Sequence, residues 1–145
     1  LKIAKDLGAT HIINASQNNI LEKIFSIIKG GVHYSFECVG SEKAMELAYS
    51  SLRRGGTAIS SGLPHPDKKI KIPHVDLVAH EKTIKGSFLG SCVPQRDIPA
   101  YIEMFKAGNL PVDKLISKVI SLDEINEGFD ELQNGMCIRQ LISFD

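Results

Sequence analysis

Hydrophobic positions along this chain follow two rhythms. Three stretches run apolar and then stop on glycine: 32–40 (VHYSFECVG), 57–62 (TAISSG) and 83–90 (TIKGSFLG). Each predicts a β-strand. Between them the spacing turns helical. Ile20, Ile24, Ile27 and Ile28 form one stripe, closed by Gly30 and Gly31. Ala44, Met45, Leu47, Ala48 and Leu52 form a second, with Ser41 as N-cap and Gly55-Gly56 as the stop. Pro64 and Pro66 mark a loop, and 76–80 reads as a short helix. At the front, Leu1, Ala4 and Leu7 share a helical face ended by Gly8. Two turns without a cap do not hold themselves, so the chain is expected to open inside a helix, followed by a short strand at 10–13.

Strand, helix, strand, helix, strand with short joints predicts an α/β fold with a parallel sheet. After Gly90 the rhythm changes. Asp97, Ile98 and Pro99 open a helix with proline in its first turn, running to Lys106 and stopped by Gly108. A strand is expected at 115–122. Ser121 and Glu124 have capping-box spacing, and Ile125, Phe129 and Leu132 recur at helical intervals until Asn134-Gly135. IRQLISF at 138–144 reads as a final strand. The predicted division is 1–108 for the parallel-sheet unit and 109–145 for a different packing unit.

Glycines at the carboxyl tips of successive parallel strands give a ligand close access to backbone, and that rim is where open α/β sheets bind. The pattern predicts a nucleotide-type cleft, yet no GxGxxG occurs in the 145 residues. The chain thus reads as part of a cofactor-binding enzyme.

Charge narrows the field. Seventeen basic residues balance seventeen acidic ones, leaving no general field to draw nucleic acid or an anionic membrane. No apolar run approaches membrane-spanning length. Cys38, Cys92 and Cys137 are odd in number, lack CxxC spacing and suit a reduced cytoplasmic setting as buried or half-buried thiols. They show no zinc-ligand spacing either. The five histidines (His11, His33, His65, His74, His80) are scattered, and only His65 is expected near the cleft. Glu37, inside a strand, reads as a hydrogen-bonded structural carboxylate rather than an acid catalyst. KKIKIP at 68–73 reads as a solvated edge.

GGVHYSFECVG at 30–40, GLPHP at 62–66, KGSFLGS at 85–91 and INEGFDELQNGMCIRQLISF at 125–144 occur in this order. Together with LGATHIIN near the start, they resemble the C-terminal part of the zinc-dependent medium-chain alcohol dehydrogenases. The likeness is greatest to the branch holding the glutathione-dependent formaldehyde dehydrogenases and the classical alcohol dehydrogenases. The resemblance implies the rest of a Rossmann sheet followed by a return segment of the catalytic domain. It also implies that the glycine-rich turn and the zinc ligands lie upstream, so no catalytic residue and no metal ligand carries over.

Cofactor contacts do carry over, to NAD. The resemblance places Val39, Gly40 and Ser41 on the adenosine side of the cleft, although Ser41 stands where other members carry a large basic residue. It places Ser61, Gly62 and Leu63 along the nicotinamide ribose, and backbone at Ser87, Phe88 and Leu89 against the carboxamide. Arg139 falls where the family keeps an arginine on the pyrophosphate, a role suited to a planar guanidinium. Leu63 and Phe88 match positions beside the channel for an alcohol or aldehyde. The implied assembly is a homodimer through the sheet edge at 69–72 and 83–86. Alone, the chain is expected to be inactive and marginally folded. Two other readings stand beside this one: a zinc-free NADPH quinone or enoyl reductase, and a non-catalytic binding or dimerisation module.

Overall fold

A computed structural model describes residues 1–144 and resolves two compact units, Leu1–Cys92 and Val93–Asp145. They divide ahead of the 108/109 boundary read from the sequence, because the helix that follows Cys92 belongs to the second unit.

The first unit carries α1 (Lys2–Asp6), α2 (Ile20–Ile27), β1 (Val32–Glu37), α3 (Glu42–Ser50), β2 (Leu52–Ser60), α4 (His74–Ala79) and β3 (Thr83–Gly86). The three strands form one parallel sheet in the order β1-β2-β3, as the α/β alternation predicts. α3 packs on β1 and β2. Met45, Tyr49, Leu52 and Ala58 form the core, with Val32, Ile72 and Leu77 packed against it.

Three local expectations change. Residues 10–13 form no strand, since an extended segment becomes one only by pairing, and no described strand lies beside it. Leu52 leaves the helix and opens β2, paired with Val32. The register then shifts, and pairing resumes at Tyr34 and Thr57. Gly55, at φ +70°, lies in this bulged stretch, a conformation that favours glycine. The strand expected at 83–90 ends at Gly86, and Phe88–Ser91 becomes a 3-10 turn with Leu89, Gly90 and Ser91 all at positive φ.

The second unit holds α5 (Pro94–Lys106), a 3-10 turn at Val112–Leu115, β4 (Ile116–Ser121), a further turn at Leu122–Glu124, α6 (Ile125–Gln133) and β5 (Arg139–Ser143). β4 and β5 pair in parallel, with α6 packed on both. The capping box forms as its spacing predicts: Ser121 N–H and Oγ–H both donate to Glu124 Oε2, at 2.8 and 2.7 Å. α5 starts earlier than expected, with Pro94 in its first turn and Pro99 inside it. The Asp97 carboxylate accepts the Val93 N–H at 2.7 Å, which anchors that earlier start.

Candidate functional site

The parallel register sets the carboxyl ends of β1, β2 and β3 side by side, Glu37 opposite Ser60 and Ser60 opposite Gly86. The chain leaves this rim in three turns, at 38–41, 61–63 and 87–91. Ser61, Gly62, Leu63, Ser87, Phe88 and Leu89 line one groove of about 550 Å³ together with Ser60, Gly86 and Gly90. These six residues, all predicted to hold cofactor, thus share a wall. Leu63, Phe88 and Leu89 are 83%, 75% and 69% exposed. Apolar side chains that open on a groove rim offer contact area to a flat, partly apolar ligand.

This wall has a backbone origin. Ser87 N–H donates to the Ser60 carbonyl at 2.9 Å, which carries the β2–β3 ladder one step past β3. The chain then turns through Leu89 (φ 49°), Gly90 (φ 67°) and Ser91 (φ 55°). Left-handed backbone at a leucine and a serine is costly, and such strain concentrates at ligand-binding walls. The hydroxyls of Ser87 and Ser91, 3.2 Å apart, brace the turn.

The glycines divide into two kinds. A Cβ on Gly86 or Gly90 would meet nothing within 4 Å, so backbone there is open to a ligand. Gly40 and Gly62 instead face each other. A Cβ on Gly62 would overlap the Gly40 nitrogen, and one on Gly40 would sit 2.9 Å from the Leu63 carbonyl. Their missing side chains make room for the neighbouring turn.

Glu37 ties the same two turns together, and it is only 3% exposed. Its Oε1 accepts N–H bonds from Val39 (2.6 Å), Gly40 (2.6 Å) and Ser41 (3.4 Å), and its Oε2 accepts the Ser60 hydroxyl at 3.1 Å. Burial pushes its pKa up, and these four donors together outweigh burial and hold it below 4.5. It is the structural carboxylate that its place in a strand predicts. Val39, by contrast, is 79% exposed at the rim. Ser41 occupies the N-cap position of α3 without a capping bond from its side chain. Cys38 is exposed, contrary to the expectation of a buried or half-buried thiol, and receives the Ser61 hydroxyl at 3.2 Å.

Arg139 stands in the second unit as the first residue of β5. There it lines a groove with Phe105, Val112, Asp113, Leu115 and Ile116. All five histidines are exposed, including His65. Among the described residues, no group of three or more His, Cys, Asp or Glu side chains could hold a metal ion. No described helix is long and apolar enough to cross a membrane.

Comparison with known proteins identifies the setting of this rim. The zinc-binding dehydrogenase family matches residues 1–107. Alcohol dehydrogenase 1 of Cenchrus americanus is 33% identical over 145 residues, spanning 98% of this chain and 38% of that protein. Benzyl alcohol dehydrogenase from Acinetobacter calcoaceticus superposes with a TM-score of 0.94 at 30% identity, over 100% of this chain and 40% of its own. A protein described as a zinc-binding dehydrogenase from Sinorhizobium meliloti, bound to NADP, superposes at 0.77 with 27% identity, over 87% of this chain and 36% of its own. The chain therefore spans well under half the length of the relatives it matches.

Proposed function

The chain belongs to the zinc-binding dehydrogenase family, and from that footing we propose that it is the C-terminal part of an alcohol dehydrogenase. In this reading the whole protein transfers hydride from an alcohol to NAD, and this chain supplies one wall of the cofactor cleft. The observation that carries the reading is the groove at the ends of β2 and β3. It joins open backbone at Gly86 and Gly90 to the apolar side chains of Leu63, Phe88 and Leu89.

A nicotinamide cofactor fits this wall because no Cβ intrudes at Gly86 or Gly90. When bound, it supplies the hydride acceptor. The chain's own contribution is placement. Backbone at Ser87, Phe88 and Leu89 would dock the carboxamide, and the 61–63 turn would floor the ribose. Leu63 and Phe88 would exclude water beside the alcohol, and Arg139 would hold the pyrophosphate. Val39 and Gly40 would border the adenosine. Zinc does not fit here, since the described residues offer no donor cluster; no step on this chain runs through a metal.

The finer assignments rest on the same footing. Assignment to the branch of the glutathione-dependent formaldehyde dehydrogenases and classical alcohol dehydrogenases rests on the resemblance of the ordered motifs. Among the described residues β3 has a neighbour strand on one side only, and it is exposed throughout, which suits pairing with a second copy. Balanced charge favours neither nucleic acid nor an anionic membrane as partner, and three free cysteines suit a reduced cytoplasmic setting.

Turnover tests the proposal. Purified 1–145 should reduce no NAD in the presence of alcohols, and the longer protein that contains it should do so and lose activity to a zinc chelator. Activity from 1–145 alone would refute its role as a partial wall. Activity that survives chelation and requires NADPH would shift the assignment to the zinc-free reductases.

A further inference from the structure

Three consecutive N–H groups that converge on one point form an anion-binding nest. Here the N–H groups of Val39, Gly40 and Ser41 converge, and Glu37 Oε1 occupies the point. Its main chain grips the adjacent turn as well. The Glu37 carbonyl accepts Ser61 N–H at 2.8 Å, Gly62 N–H at 3.2 Å and the Ser61 hydroxyl at 3.2 Å. With Gly40 and Gly62 pressed backbone to backbone, the two turns form one unit with this residue at its centre.

We propose that Glu37 is a positioning residue of the cofactor cleft: its carboxylate fills the nest at 39–41 in place of a ligand anion and fixes both turns for the dinucleotide. This inference rests on the cofactor reading above and adds a constraint to it. Amides already engaged by Glu37 cannot bind a cofactor phosphate, so Val39 and Gly40 contribute packing surface only. A neutral glutamine of the same shape could still accept from the turn, though more weakly than a charged acceptor. It would also present an N–H₂ group to Ser60, which now donates.

The experiment uses the longer protein containing this chain, with Glu37→Gln and Glu37→Ala. Glu37→Gln should raise the KM for dinucleotide by about tenfold, the scale of one charge-assisted hydrogen bond. Its kcat at saturating dinucleotide should stay within about twofold, and amide exchange at 39–41 should accelerate. Glu37→Ala should go further, and if it does not fold, Glu37→Gln decides the matter. A Glu37→Gln protein with a lowered melting point but unchanged dinucleotide KM would overturn the positioning role and leave the cofactor reading standing. A wild-type protein that binds no dinucleotide would overturn both.

Discussion

The two faces of the β1–β2–β3 sheet differ sharply. On one, α3 lays Met45 and Tyr49 over Leu52 and Ala58, and all four are at most 4% exposed. On the other, Tyr34 and Phe36 are 64% and 69% exposed, and Phe36 lies in register with Ile59 and Lys85. Parallel sheets are ordinarily covered on both faces. Stability of this unit therefore comes from the α3 side, while the Tyr34–Phe36 side holds apolar surface that gains only when something covers it.

The largest break in that contrast comes from Tyr49, which is 1% exposed. Tyr49→Ala should lower the unfolding free energy by about 3–5 kcal/mol, from lost burial and the cavity left behind, as read by urea denaturation. Tyr49→Phe should be far milder. Its hydroxyl is buried and interacts with the Asp76 carboxylate, so removal forfeits that one interaction while the ring keeps its packing. If both variants cost the same, the ring's packing is not what holds the covered face.

A smaller effect is expected at the amino end of the same face. Lys82 Nζ lies 2.9 Å from Asp76 Oδ2 and 4.7 Å from the Tyr49 ring centroid, with its side chain 7% exposed. His80 Nδ1 contacts the other Asp76 oxygen. The Lys82 hydrogen bond is the main cause holding Asp76 below its usual 3.8. A carboxyl depressed in the folded state adds stability that is complete above its unfolded pKa and is lost as pH falls through the folded value. Asp76→Asn should therefore lower the melting point at neutral pH and narrow that deficit as pH drops below 3.8. Glu37, Glu42, Asp97 and Glu124 are also depressed, so the difference from wild type is the informative curve. A deficit that stays constant with pH would remove Asp76 from the account.

What the sequence made legible was mostly local. The Ser121–Glu124 box spans three residues and forms as its spacing predicts. The need for glycine at 40 and 62 was legible too, yet what each glycine makes room for was not. Gly62 meets Gly40 across two strands, and composition alone cannot distinguish a neighbouring turn from a ligand. The same limit applies to Leu52, whose apolar side chain suits a helix stripe or a strand until pairing with Val32 decides it. Residues 10–13 carry strand composition and find no strand to pair with among the described residues. Glu37's role as a structural carboxylate followed from its place in a strand, but its bond to Ser60 joins residues 23 apart.

Phe36 gives the smallest effect and the finest test of the two faces. In 1–145 alone its ring is 69% exposed, so Phe36→Ser should change stability by less than about 0.5 kcal/mol, the range of ordinary surface substitutions. It should also reduce self-association in sedimentation velocity, because it removes apolar surface from a face open to other molecules. The longer protein should respond differently. Where further chain covers this face, the same substitution empties a packed site and should cost several times more, about 3 kcal/mol. A small effect in the short chain and a large one in the long protein would assign the Tyr34–Phe36 face to intramolecular packing. Equal, small effects in both would leave that face exposed in the complete protein and point to a second copy or another protein as its cover.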